Sequence, residues 1–166
     1  MPLQPTLLEL AKMIDHSLLH PTMTDEDVAQ GCALAVKYNV ATACIKPYCI
    51  SMVKELLAGS DVAVCPVIAF PHGNSTTAIK VAEAEAAAQA GGVEIDMVVN
   101  IGKVLGGDWA YVKDEIGAIN QAVTANGAIL KVIFENDYLQ DEHIVRLCEI
   151  CSACGVAFVK TSSGYG

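Results

Sequence analysis

Lys160 has the sequence setting that most strongly predicts covalent chemistry. It follows the apolar run 156–159 and precedes the hydroxyl- and glycine-rich residues 161–166. Burial disfavours the charged form of a lysine and lowers its pKa, and the neutral amine can attack a carbonyl carbon to form a Schiff base. The sequence therefore predicts an amine nucleophile at Lys160. The alternative is a strand-end lysine whose ammonium group reaches solvent.

Asp96 and Lys131 also interrupt apolar runs that are typical of buried strands. A carboxylate in such a run needs a partner or a proton, and beside a carbonyl substrate it would shuttle protons through water. Lys131 is a rival nucleophile or a supporting cation, because two lysines that share a site lower each other's pKa. The structural alternatives are an ion pair between Asp96 and a lysine of a neighbouring strand, and pairing of Lys131 with Glu135 or Asp96.

Four further residues are candidates for substrate binding at the ends of predicted strands. Asp15 and Ser17 would bind substrate hydroxyls, or else form turn and cap hydrogen bonds. Asn100 either binds a hydroxyl or caps a loop. Cys44 is expected beside the site, and as a nucleophile it lacks an implied histidine partner.

The segment 161–166 is a candidate phosphate-binding loop. Its Thr161, Ser163 and Gly164 would present backbone N–H groups to an anion. Glycine–serine loops are common, so this pattern alone is weak evidence for a phosphate site.

These residues need a framework of buried strands, which the composition favours. The chain has 166 residues, 53% hydrophobic residues and a mean hydropathy of +0.42, as expected for strands that are buried on both faces. Strands are predicted to begin near Ile14, Ala41, Ala63, Glu94, Ile129 and Ala157. Helices are predicted over Thr6 to Met13, after the N-cap Thr24, over Ile50 to Ala58, over Thr76 to Ala90, and after the N-caps Asp108 and Asp141, the last two closed by Gly127 and Gly155.

The alternation predicts one α/β domain over residues 1–166, with a parallel sheet wrapped by helices. An open doubly wound sheet and a (β/α)8 TIM barrel both fit this pattern. About 28 residues per unit, repeated eight times, gives roughly 230 residues, a usual barrel length. Six units are then an incomplete barrel, whose unpaired first and last strands favour self-association, with completion or exchange of units by another chain.

Charge and composition exclude several classes of partner. The net charge is -9 and the pI is about 4.7, with no basic cluster for nucleic acid or an anionic membrane. The amino terminus lacks a targeting pattern and no apolar run approaches roughly 20 residues, so a cytoplasmic protein is expected. The seven cysteines are predicted to be reduced, and Cys148, Cys151 and Cys154 are predicted to pack in a helix. His16 and His20 are not expected to bind a metal ion.

Six segments in the same order resemble the deoxyribose-phosphate aldolase family. They are Ile14–Leu19, Ala43–Pro47, Val67–Gly73, Glu94–Gly102, Leu130–Glu135 and Phe158–Gly164. The resemblance implies a (β/α)8 barrel that cleaves 2-deoxyribose 5-phosphate reversibly to acetaldehyde and glyceraldehyde 3-phosphate, without metal or other cofactor. By position it implies that Lys160 forms the Schiff base and that Asp96 relays protons.

The resemblance also implies that this chain is truncated at its carboxyl end relative to the family. The family's second catalytic lysine, on strand seven, and its phosphate loops after strands seven and eight have no counterpart here. The expected partners are phosphorylated sugars, aldehydes and further copies of the chain. Two alternatives to full activity are an inactive, self-associating barrel fragment and a Schiff-base enzyme for another phosphorylated sugar.

Overall fold

A computed structural model describes residues 4–166, and its six parallel strands form one sheet in sequence order. The strands are β1 (Asp15–Leu18), β2 (Thr42–Ile45), β3 (Ala63–Ile68), β4 (Glu94–Val98), β5 (Ile129–Ile133) and β6 (Phe158–Lys160). Each begins within one residue of its predicted start. The amino terminus is also predicted to lack a targeting pattern. Residues 1–3 of that segment lie outside the described residues.

The first helix precedes β1, and the other helices connect successive strands and pack on one face of the sheet. The helices are α1 (Leu7–Ala11), α2 (Asp25–Tyr38), α3 (Ile50–Leu56), α4 (Thr77–Ala90), α5 (Ile101–Leu105), α6 (Trp109–Ala125) and α7 (Asp141–Ala153), with 3-10 turns at Pro47–Cys49 and Asn136–Tyr138. In the described part of the chain, none of these helices has the length and apolar character needed to cross a membrane.

Most predicted helix ends are confirmed, and two details differ. Thr24 caps α2, where its N–H donates to Asp27 Oδ2 at 2.8 Å, and Asp108 accepts the Tyr111 N–H at the start of α6. The predicted cap Asp141 is wrong: it is the first residue of α7, and Gln140 precedes it as the cap. The short α5 was not predicted, because five residues are too few to display helical periodicity.

The sheet is curled into a half-barrel, which confirms the predicted incomplete barrel. On β4, Ile95 and Met97 are fully buried in the layer between sheet and helices. Asp96, between them in sequence, points to the concave face, because side chains alternate along a strand. The curl brings β1 opposite β6, so that Asp15 Oδ2 lies 2.8 Å from Lys160 Nζ.

The outer strands β1 and β6 are paired on one side only among the described residues. Phe158 is 56% exposed and Val159 is 47% exposed. These side chains are exposed because, among the described residues, β6 pairs only with β5.

Lys80 of α4 and Glu115 of α6 form a fully buried ion pair behind the end of β4. Lys80 Nζ lies 2.9 Å from Glu115 Oε2 and donates to the Val98 carbonyl at 3.0 Å. The Asn100 N–H donates to the same carboxylate oxygen at 3.3 Å. Burial lowers the pKa of Lys80, and the Glu115 charge opposes that effect. The pair therefore joins two helices to the strand that carries Asp96.

Glu115→Gln is expected to destabilise the fold by about 3 kcal/mol or more, because the Lys80 cation would remain buried without its counter-charge. The free energy of unfolding from urea titration measures this. Glu149→Gln is the matched control, since Glu149 pairs with Arg146 at the surface, where an ion pair contributes about 0–1 kcal/mol. Equal losses in the two variants would contradict the prediction.

Candidate active site

The candidate site lies on the concave face of the half-barrel, near the carboxyl ends of the strands. A cavity of about 120 Å³ opens there. Its charged groups come from three separated strands, β1, β4 and β6, and its lining is Asp15, Ser17, Leu19, Cys44, Val67, Phe70, Asp96, Ile133, Lys160, Ser162 and Ser163. Carboxyl ends of parallel strands are the usual place for active sites in barrels.

Lys160 lies between two carboxylates in this cavity. Its Nζ is hydrogen-bonded to Asp96 Oδ2 by a short contact and to Asp15 Oδ2 at 2.8 Å. The Lys160 side chain is 25% exposed, whereas the Asp96 side chain is 1% exposed. The structure thus places the predicted nucleophile and the predicted proton relay in direct contact.

The predicted direction of the Lys160 pKa shift is wrong. Burial does act to lower the pKa of Lys160, but the charges and hydrogen bonds of Asp96 and Asp15 outweigh burial and raise it. The local sequence signals the burial and cannot signal carboxylates that arrive from other strands. The resting Lys160 is therefore an ammonium ion, which must give up a proton before it can attack a carbonyl.

Lys131 occupies a deeper position on the same face. Its Nζ lies 2.8 Å from both Asp15 Oδ2 and Glu94 Oε2, and 3.3 Å from Asp96 Oδ1. Burial lowers its pKa, but the surrounding negative charges outweigh burial and raise it. The predicted alternative pairing with Asp96 is present, whereas pairing with Glu135 is absent from the ion pairs of residues 4–166.

Asp15 bridges the two lysines. Its Oδ2 accepts from both ammonium groups, and its Oδ1 accepts from the Thr42 hydroxyl at 2.8 Å. Burial acts to raise the pKa of Asp15, but hydrogen bonds from Lys131 and Lys160 outweigh it and lower the pKa to about 2. Asp15 therefore stays ionised and holds β1 against β5 and β6.

Asp15 is expected to stabilise the fold above pH 4 and to lose this contribution in acid. A fall in its pKa from 3.8 to about 2 corresponds to roughly 2 kcal/mol, present above the unfolded pKa and lost as pH falls through the folded one. Urea titrations of the wild type and Asp15→Asn at several pH values measure the difference in stability. A difference that stays constant between pH 5 and pH 2 would contradict this assignment.

Two thiols border Asp96 on its other side. The Cys44 thiol donates to Asp96 Oδ2 at 3.7 Å, and the Cys65 thiol donates to Asp96 Oδ1 at 3.3 Å. A hydrogen bond with Cys44, burial and the Asp96 charge raise the pKa of Cys65 well above its usual range. Cys65 is therefore a neutral thiol in this site.

Ser17 and Asn100 are placed differently from one another. Ser17 is exposed and lines the cavity. Asn100 caps α5, and its Oδ1 accepts the Lys103 N–H at 3.2 Å. It is not among the residues that line the cavity, so the structure favours the loop-cap alternative for Asn100.

The loop after β6 is held by Glu135. This buried carboxylate accepts the Ser163 N–H at 3.0 Å and also bonds the Ser163 hydroxyl. The Tyr165 N–H donates to Ser163 Oγ at 3.0 Å. Of the three predicted phosphate-binding N–H groups, that of Ser163 is thus engaged within the protein, and it points at a carboxylate. Thr161 and Gly164 are exposed and lie outside the cavity lining.

Sequence reasoning missed four residues that contact the site: Thr42, Cys65, Glu94 and Glu135. Glu94 had a usable signal, because it precedes Asp96 by two positions and so shares its face of β4. Cys65 depends on register, since it lies opposite Cys44 on the neighbouring strand. Glu135 has φ of 60°, an unusual conformation for glutamate that local sequence does not predict.

Comparison with known proteins shows the family to which this chain belongs. The model of the DeoC/LacD family aldolases matches residues 10–166. The chain belongs to this aldolase family. It is 54% identical over 158 residues to a deoxyribose-phosphate aldolase of Rhodopirellula baltica, covering 95% of this chain and 66% of that protein. It is 46% identical to one of Treponema denticola, covering 96% of this chain and 74% of the relative.

Solved aldolase structures have the same fold over the described residues. The tetrameric deoxyribose phosphate aldolase of Aeropyrum pernix superimposes with a TM-score of 0.88 at 31% identity, covering 96% of this chain and 67% of that one. An aldolase called QR15 gives a TM-score of 0.89 at 30% identity, covering 95% and 70%. Members of the aldolase family therefore share the half-barrel, and this chain spans about two thirds of the relatives' length.

Proposed function

We propose that this chain is a class I aldolase that cleaves 2-deoxyribose 5-phosphate reversibly to acetaldehyde and glyceraldehyde 3-phosphate. The observation that carries the proposal is the Lys160 amine, held against the buried Asp96 in a cavity on the concave face. Relatives named deoxyribose-phosphate aldolase support the choice of substrate. No step of this chemistry requires a metal ion.

The first step is imine formation. Lys160 transfers a proton to Asp96, and the neutral amine attacks the aldehyde carbon of the open-chain sugar to give a carbinolamine. Asp96 then returns the proton to the carbinolamine hydroxyl, which leaves as water. The product is an iminium ion on Lys160.

The second step is carbon–carbon cleavage. A base removes the proton of the C3 hydroxyl, the bond between C2 and C3 breaks, and its electron pair moves to the iminium nitrogen. Glyceraldehyde 3-phosphate leaves, and an enamine remains on Lys160. Protonation of the enamine carbon and addition of water release acetaldehyde and the free amine.

Asp15 and Lys131 hold a negative and a positive charge beside the reacting groups Lys160 and Asp96. Lys131 forms its own ion pairs with Asp15, Glu94 and Asp96. Its Nζ lies 3.3 Å from Asp96 Oδ1 and so places a second positive charge beside the carboxylate that we assign as the proton acceptor. Ser17 and Cys44 line the cavity and contact the sugar.

Reductive trapping tests this proposal. Incubation of the purified chain with acetaldehyde and borohydride is expected to ethylate Lys160, as mapped by peptide mass. Turnover of deoxyribose 5-phosphate, compared with other sugar phosphates, tests the substrate. Ethylation elsewhere, or no ethylation of a folded chain, would contradict the proposed nucleophile.

The same proposal includes self-association in the cytoplasm. An apolar groove lined by Leu7, Leu10, Ile14, Leu34 and Tyr38 flanks β1. Apolar grooves favour contact with another chain, and the related aldolase of Aeropyrum pernix is tetrameric. A phosphorylated sugar is charged and does not cross a membrane unaided, which favours a cytoplasmic site. Sedimentation that gives only monomers would contradict self-association.

A further inference from the structure

Three potential metal ligands meet on the concave face beside Lys160. Cys44, Cys65 and Asp96 come from β2, β3 and β4, and their ligand atoms all lie within 4.8 Å of one another. The residues are 3%, 0% and 0% exposed, and Cys44 and Asp96 also line the cavity that opens to solvent. The cluster is thus pre-positioned and reachable by a small ion.

The observed spacing suits a tetrahedral thiophilic cation. With Zn–S near 2.3 Å and Zn–O near 2.0 Å, a tetrahedral site has ligand–ligand edges of about 3.5–3.8 Å. Cys44 Sγ lies 3.7 Å from Asp96 Oδ2, and Cys65 Sγ lies 3.3 Å from the other oxygen, Oδ1. Since one ligand atom from each residue lies within 4.8 Å of the other two, side-chain rotations that shorten these separations by about 1 Å would bring both sulfurs and one oxygen around a single ion.

Charge on the concave face is compatible with such an ion. Asp15, Glu94 and Asp96 oppose Lys131 and Lys160 there. A divalent cation that displaces the two thiol protons adds two positive charges and removes two, so the net charge of the cluster is unchanged. The buried site thus gains no uncompensated charge on metal binding.

We propose that Cys44, Cys65 and Asp96 form a binding site for a thiophilic divalent cation such as Zn²⁺, and that the bound ion inhibits the protein. The cation bonds to both sulfurs and to an Asp96 oxygen, and two protons pass to solvent. Inhibition follows because Asp96 then bonds to the metal and no longer accepts a proton from Lys160. Metal binding stands independently of the proposed aldolase chemistry, whereas inhibition rests on it.

Cd²⁺ titration tests the site without measuring activity. The wild type is expected to bind one tight equivalent, with the ultraviolet charge-transfer band of a Cd²⁺–thiolate complex. Cys65→Ser is expected to weaken this binding by about a hundredfold or more, because a direct ligand is lost. Cys154→Ser is the matched control, since Cys154 lies after α7 and is bonded to the Lys113 carbonyl, outside the cluster.

The outcomes separate the two parts of the proposal. A wild type without a tight thiolate band, or undiminished tight binding in Cys65→Ser, overturns the site. Circular dichroism checks that each variant folds, and Cys44→Ser replaces Cys65→Ser if the latter does not.

Inhibition is measured by borohydride trapping with and without one equivalent of Zn²⁺. Ethylation of Lys160 in the wild type is expected to fall at least about tenfold with the metal. Unchanged trapping with the site occupied would overturn the inhibition. Absence of trapping in the metal-free protein would instead count against the aldolase proposal and would leave the Cd²⁺ result intact.

Discussion

Lys160→Arg is expected to eliminate borohydride trapping and to lower kcat for deoxyribose 5-phosphate by about 10⁴-fold or more. Arginine retains a cation opposite Asp96 and Asp15, so the ion pairs that close β1 onto β6 remain. However, the guanidinium group does not lose its proton in proteins and cannot form an imine. The loss of trapping and of kcat would therefore arise from the missing nucleophile, since the positive charge and the fold are retained. Peptide mass mapping and a coupled assay for glyceraldehyde 3-phosphate measure the two effects.

Lys131→Arg is the matched control for this experiment. Lys131 faces the same carboxylates and differs from Lys160 in its depth and exposure, with a side chain that is only 5% exposed. We expect the variant to retain ethylation of Lys160. Ethylation of Lys131 in the Lys160→Arg protein would contradict the assignment, because it would identify the deeper lysine as the nucleophile.

Asp96→Asn is expected to have the second-largest effect, with kcat lower by about 10²–10⁴-fold. The amide has nearly the shape of the carboxylate and cannot accept the Lys160 proton or return it to the carbinolamine. Because the Asp96 charge raises the pKa of Lys160, the substitution should also lower that pKa. The neutral amine would then form at lower pH, so half-maximal trapping should occur at a lower pH than in the wild type.

A proton relay predicts that Asp96→Asn lowers kcat even though its Lys160 amine loses a proton more readily. A purely structural carboxylate does not predict this combination. Asp15→Asn removes the other carboxylate that contacts Lys160, and it should also shift trapping to lower pH. We expect a smaller loss of kcat for Asp15→Asn, since Asp96 would still be present to relay the proton. Equal losses of kcat in both variants, or a shift of trapping to higher pH in Asp96→Asn, would contradict the assigned functions.

The sequence alone determined the order of the elements and the strand positions of the main charged residues. Apolar runs separated by capped helices predicted all six strand starts within one residue. These signals are local, because side-chain alternation and helix capping depend on neighbours within a few positions. For the same reason, Lys160, Lys131 and Asp96 were recognisable as charges inside apolar strands, and six collinear motifs indicated the aldolase family.

Only the tertiary structure decided what those charges contact. Asp15 and Lys160 are 145 positions apart, and their hydrogen bond exists because the curled sheet brings β1 opposite β6. Register likewise places Cys65 beside Cys44, and the backbone after β5 aims Glu135 at Ser163. The pKa of Lys160 also depends on tertiary structure. The local sequence indicates the burial that lowers this pKa, but the two carboxylates that raise it come from distant strands. Coulomb interactions depend on distance in space, and sheet curvature sets that distance.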